Sequence, residues 1–189
     1  MENQKQADRE KILEIKDLSI SFKTSAGEIK AIRGVDFTLN RGDTVAIVGE
    51  SGSGKSMLSL SILNLVDKPG KIIEGEVLFL EGDKESGDKE FKYKDLLLCS
   101  QKEMREIRGR EIAMIYQDAL SSLNPSMLIK TQMKQLTKRG GTRSAEELLK
   151  LVGLDPKRTL DSYPHELSGG QRQRVLIAMA LTRDPKVVI

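Results

Sequence analysis

Thr44-Val45-Ala46-Ile47-Val48-Gly49-Glu50-Ser51-Gly52-Ser53-Gly54-Lys55-Ser56 is the stretch on which the fold turns. Its first five residues make a short apolar run closed by glycine, the pattern of a strand buried on both faces in a parallel sheet. Gly49 to Ser56 then match G-x-x-x-x-G-K-[ST] at every fixed position. From Met57 to Val66, the residues Leu58, Ile62, Leu65 and Val66 fall on one helical face, and Pro69-Gly70 stops the run. The local reading is strand, glycine-rich loop, helix.

That order carries chemistry. Glycines let successive backbone N–H groups converge on a phosphate, and the start of the helix adds the positive end of its dipole. Lys55 supplies a cation for the β- and γ-phosphates and is the first candidate catalytic residue, while Ser56 offers a hydroxyl to Mg²⁺. Gly49, Ser51, Gly52, Ser53, Gly54, Lys55 and Ser56 are therefore the expected phosphate-binding set. With glycine near about 7% of average usage, the fixed positions would coincide by chance in roughly one chain in a few hundred.

Working outward, Leu13, Ile15, Leu18, Ile20 and Phe22 alternate over part of their length, and Gly27 punctuates a turn before Ile29, Ala31 and Ile32. Val35, Phe37 and Leu39 alternate again, so residues 12–39 read as an antiparallel β layer. Glu76 to Leu80 and Ile112 to Tyr116 read as further strands, and Glu81 to Asp95 as an exposed polar loop. Ala145 to Val152 and Gly169 to Arg183 read as helices, the first opened by a capping box of Ser144 and Glu147. Asp184-Pro185 breaks the second before the apolar Val187-Val188-Ile189.

Composition excludes several classes. Lys and Arg number 31 against 28 Asp and Glu, a net charge of +3, which gives no broad footprint for nucleic acid. One cysteine, Cys99, builds neither a disulfide framework nor a cysteine-based zinc site, and fits a reducing cytoplasm. No apolar run approaches the roughly 18 residues of a membrane span, so membrane association is expected to go through a partner. The polar stretch 1–11 is expected to be a disordered tail.

A phosphate loop alone leaves kinases, GTPases, helicases and transport ATPases open. Leu167-Ser168-Gly169-Gly170-Gln171 and the following Arg172-Gln173-Arg174 resemble the signature of the ABC ATPases. Physically, Ser168 can cap the helix that follows and leave its N-terminal N–H groups to receive an anion. The resemblance implies that Ser168, Gly169, Gly170 and Gln171 complete the ATP site of an opposing subunit, in a head-to-tail homo- or heterodimer. It assigns Gln117 to the Q-loop, as a catalytic residue and Mg²⁺ ligand, and places Phe22 where an aromatic stacks on adenine; Phe22 reads equally as core. His165, the only histidine, precedes the signature and is expected to be structural.

Tyr116-Gln117-Asp118-Ala119-Leu120-Ser121-Ser122-Leu123-Asn124-Pro125 and Tyr163-Pro164-His165-Glu166 resemble the oligopeptide, dipeptide and nickel importer branch. The implied fold is α/β, a P-loop NTPase with a mostly parallel core sheet, an antiparallel β layer and an inserted helical lobe, incomplete at its C-terminus. The expected organisation is a tail over 1–11 and a nucleotide-binding core with the antiparallel layer over 12–116. A helical lobe with Q-loop and signature follows over 117–170, then a return helix and the start of the Walker B strand over 171–189. The polar insertion from Gly82 to Tyr93 is longer than the family's and Thr131 to Arg143 shorter.

The implied function is an ATP-binding subunit energising uptake of peptides or nickel through membrane permease subunits, peripheral on the inner face of the cell membrane. A soluble non-transport ABC ATPase and an ATP-binding fragment without turnover stay open beside it. In the family, the strand begun at Val187 ends in an Mg²⁺-ordering aspartate followed by a glutamate that polarises water; neither is present in the 189 residues. The expectation is that this chain binds nucleotide but hydrolyses it poorly or not at all. Phosphate release from purified chain with Mg-ATP checks this, and turnover that disappears in Lys55→Ala would overturn it.

Overall fold

The computed structural model describes residues 10–25, 27–82, 92–118 and 122–189. The chain divides between Met104 and Arg105 into two compact units. The first contains β1 (Lys11–Thr24), β2 (Gly27–Asn40), α1 (Lys55–Ile62), β3 (Gly70–Glu81) and β4 (Lys92–Asp95). Helix α2 (Gln101–Ile107) runs from the first unit into the second, which holds β5 (Ile112–Ala113), α3 (Ile129–Thr137), α4 (Ala145–Leu151), α5 (Pro156–Leu160), α6 (Gly169–Ala180) and β6 (Val187–Val188).

The first unit is built on an antiparallel sheet of order β2-β1-β3-β4, as the alternation over 12–39 requires. β1 lies between two neighbours, and Ile12, Leu13, Ile15, Leu18 and Ile20 along it are buried. Its pairing slips on both sides around Lys16 and Asp17. Asp17 takes φ 44° there and donates its N–H to the Asp36 carboxylate at 2.9 Å. On β3 the facing Gly75 has φ +104°, and a Cβ there would lie 2.6 Å from Leu18 Cα and 2.6 Å from the Lys16 carbonyl oxygen. The bulge therefore depends on a residue without a side chain.

β4 corrects one expectation. Glu81 to Asp95 is not loop throughout: Lys92–Asp95 pairs with Leu78–Glu81, while the rest of the insertion, 83–91, lies outside the described residues. Asp95 secures this edge, its carboxylate accepting the Val77 N–H at 3.2 Å and the Leu97 N–H at 3.0 Å. Lys94 bonds Glu103 of α2 at 2.8 Å and, with the Ser100 N–H and hydroxyl donating to the same carboxylate at 2.8 and 2.7 Å, holds the Glu103 pKa down at about 2. The expected tail is also shorter at its inner end. Lys11 opens β1, and the Glu10 carbonyl accepts the Arg41 N–H at 2.8 Å; residues 1–9 lie outside the described residues.

Thr44 to Val48 is the clearest departure. No strand forms there, and Val45, Ile47 and Val48 are 49%, 43% and 87% exposed. A strand exists by its ladder, and no described strand pairs with this stretch. The helix expected over Met57–Val66 starts earlier and stops earlier, at Lys55 and Ile62. Asn64, in the left-handed region at φ 50°, ends it, with the Leu65 N–H closing back on the Leu60 carbonyl at 2.9 Å.

In the second unit, β5 and β6 pair in parallel, Ile112 with Val187 and Ala113 with Val188. The strand expected over Ile112–Tyr116 is thus shorter as a ladder, although the Ile115 N–H still reaches the Ile189 carbonyl at 2.8 Å. The helices close on one apolar cluster that includes Leu123, Met133, Leu148, Leu149, Leu167, Val175 and Ala178. α4 begins at the expected capping box of Ser144 and Glu147, and the helix from Gly169 ends at Ala180, followed by a 3-10 turn through Arg183.

Replacing Gly75 by alanine is expected to destabilise the chain by about 2–4 kcal/mol, from backbone overlap added to a strained φ. Gly27→Ala, also at positive φ but with nothing near its Cβ position, is expected to cost about 1 kcal/mol. Urea unfolding of the two variants checks the difference.

Candidate functional site

The phosphate loop belongs to the first unit and is closed by its own lysine. Lys55, the first residue of α1, donates from Nζ to the Gly49 carbonyl at 2.9 Å and the Glu50 carbonyl at 2.7 Å, with Ser53 Oγ at 3.4 Å. A chain reversal this tight needs unusual backbone, and Gly52 and Gly54 supply it at φ 81° and 94°. Gly54 also presses against β2: a Cβ there would lie 2.9 Å from the Ala31 carbonyl oxygen. Any other residue would push the loop off the sheet.

Gly54 is the N-cap of α1, and no side chain caps the helix; its first turn carries no acidic residue. Its first N–H groups, which have no intrahelical acceptor, and the Lys55 ammonium thus give one end of the loop a positive potential. Ser51 and Ser56 are exposed beside it. The donor set suits a phosphate chain. Phe22 of β1 is half-buried, its ring lying over Gly70 of β3, where a Cβ would meet Cε1 at 2.7 Å.

The signature turn belongs to the second unit and shows the opposite solution to a helix start. Ser168 Oγ accepts the Gln171 N–H at 3.3 Å, and Gln171 Oε1 accepts the Ser168 N–H at 2.9 Å, a reciprocal capping box. Sequence reasoning foresaw the serine cap and missed the glutamine's return bond, although the S-x-x-Q spacing signals it. Leu167 is buried and anchors the turn, while Ser168, Gly169 and Gly170 are exposed, with open space at both glycine Cβ positions. Gln117 follows Tyr116 at the end of the β5 stretch, also in the second unit, and is exposed.

His165 stacks on Tyr163, ring centroids 5.6 Å apart and planes 14° from parallel. Cys99 is buried, and burial pushes its thiol pKa up. Among the described residues no cluster of His, Cys, Asp and Glu could hold a metal, and no helix is long and apolar enough to cross a membrane.

The family model described as ABC transporter matches residues 20–189. The chain belongs to the ABC transporter family. It is 48% identical over 188 residues to the oligopeptide transport ATP-binding protein OppD of Bacillus subtilis, a match covering 95% of this chain and 49% of that protein. The dipeptide transport ATP-binding protein DppD of Lactococcus lactis is 43% identical over 189 residues, covering 95% of this chain and 51% of the relative. This ABC cassette therefore spans about half the length of the curated relatives it matches.

Its architecture matches the dimeric structure of MJ0796, a bacterial ABC transporter cassette, with a TM-score of 0.73 and 28% identity over 94% of this chain and 72% of the other. A post-hydrolysis state of MJ0796 bound to ADP and Pi matches with a TM-score of 0.72. The α/β P-loop NTPase fold that the resemblance implies is thus the fold of this ABC cassette, but among the described residues its larger sheet is antiparallel and the parallel pairing is limited to β5 and β6, not a mostly parallel core sheet.

Ser168→Ala, which removes the side-chain acceptor of the signature cap, is expected to lower stability by about 1 kcal/mol. Urea denaturation monitored by far-UV circular dichroism checks it; an unchanged midpoint would mean that the cap contributes nothing.

Proposed function

We propose that this chain is the nucleotide-binding part of a peptide importer's ATPase subunit, with ATP and Mg²⁺ as its ligands. The observation that carries the reading is the Lys55 ammonium held on the Gly49 and Glu50 carbonyls beside an uncapped helix start. Gly49, Ser51, Gly52, Ser53, Gly54, Lys55 and Ser56 would hold the phosphate chain through backbone N–H groups, hydroxyls and the Lys55 charge. Mg²⁺ would neutralise charge on the phosphates, with the Ser56 hydroxyl as the loop's own side-chain donor to it. Phe22 is the proposed adenine platform.

The exposed signature turn is the second half of the proposal. A helix start with Ser168, Gly169 and Gly170 open to solvent suits the terminal phosphate of a nucleotide held by another subunit. Two cassettes arranged head to tail would each complete the other's site, the dimeric MJ0796 cassette being the structural precedent. Coupling runs to membrane permease subunits, which would hold the cassette at the inner face of the cell membrane. Peptides are the proposed cargo, because the relatives named above are oligopeptide and dipeptide transport proteins.

Titrating the chain with a fluorescent ATP analogue in the presence of Mg²⁺ tests the first half. Lys55→Ala is expected to weaken binding by at least about tenfold, the loss of a charge-assisted contact. Equal affinity in the variant and the parent would remove the phosphate loop from the site.

A further inference from the structure

Arg174 lies on α6 one turn beyond the signature, and its side chain spans two helices. Its Nη1 donates to the Gly153 carbonyl at 3.1 Å and the Val152 carbonyl at 3.5 Å, and its Nε reaches the Gly170 carbonyl at 3.4 Å. Val152 and Gly153 form the end of α4. There Gly153, at φ 69°, lets its own N–H close on Lys150 at 3.0 Å and the Leu154 N–H close on Leu149 at 2.9 Å. That double closure satisfies carbonyls inside the last turn and leaves those of Val152 and Gly153 facing away from the helix. A cation at a helix C-terminus also meets the negative end of its dipole.

We propose that Arg174 is a positioning residue for the signature turn, strapping the Ser168–Gln171 turn to the C-terminal end of α4 through three carbonyls. Core packing of Val175 and Ala178 sets where α6 lies but acts on its inner face. Arg174 acts on the exposed side, and its third contact falls within the first turn itself, at Gly170. The planar guanidinium reaches carbonyls on two helices at once, whereas an ammonium is a single point of charge. The strap holds the direction in which the exposed N–H groups of Gly169 and Gly170 face. Its consequence for activity rests on the reading that this turn meets a nucleotide held by a second subunit.

Hydrogen exchange in the 189-residue chain tests the strap directly. Arg174→Lys and Arg174→Ala are expected to speed exchange at the Ser168, Gln171 and Arg172 amides by roughly three- to tenfold, the loss of one or two modest hydrogen bonds. The Ile177 and Met179 amides, further along α6, should stay unchanged. Rates unaltered at the signature, or raised evenly along α6, would overturn the proposal, as would full restoration by lysine.

The second readout is nucleotide-dependent self-association by sedimentation, compared with fluorescent-nucleotide affinity at the chain's own phosphate loop. The variants should need several-fold more nucleotide to associate, with that affinity unchanged. A parent chain that binds nucleotide and never associates would sink the head-to-tail reading, leaving exchange to decide on Arg174.

Discussion

The close approach of Gly54 to the Ala31 carbonyl is the contact on which the first unit depends. At 2.9 Å from that oxygen there is no room for a Cβ, so the end of the phosphate loop lies directly on β2. The contact fixes where α1 starts, and with it where Lys55 leaves the helix and folds back over Gly49 and Glu50. β2 can serve as this platform because β1 holds it along the length of the hairpin, from Lys11–Asn40 to Thr24–Gly27. Loop geometry, helix start and sheet edge are thus one arrangement, seated on a backbone contact that glycine alone permits.

Two helix starts in the same chain are finished in opposite ways, and the difference is chemical. α1 opens at Gly54 with no side-chain cap, leaving its N–H groups for an outside acceptor. α6 opens at Ser168 with a capping box that consumes the Gln171 N–H and braces the turn, so its glycines can stand exposed without fraying. An uncapped start favours an anion taken deep into a loop; a capped and exposed one favours a rigid surface offered to something else. The proposed roles of the two motifs follow that division.

The second unit gains its rigidity from a small apolar cluster joined by polar closures at nearly every turn. Ser144 and Glu147 open α4, Asp155 caps α5 by accepting the Arg158 N–H at 2.7 Å, and Thr182 receives the Thr142 N–H on its carbonyl at 3.0 Å. Buried Leu148, Leu149 and Val175 meet across these ends, so short helices that would be marginal alone are held by packing. Gln117, by contrast, stands exposed where the β5 stretch ends.

Sequence alone determined whatever is encoded locally. The phosphate loop is a run of eight residues whose glycines dictate the backbone, the caps at Ser144 and Ser168 are three-residue spacings, and the antiparallel layer announces itself by alternation. The tertiary structure decided what depends on a distant partner. Thr44–Val48 has the composition of a buried strand and forms none, because a ladder needs neighbours that composition cannot supply. Lys92–Asp95 has the composition of a loop and forms a strand, because β3 offers it an open edge and Asp95 finds the Val77 N–H. Arg174 shows the same limit, since its acceptors Val152 and Gly153 lie twenty-odd residues away, and only the packing of α6 beside α4 brings them within reach.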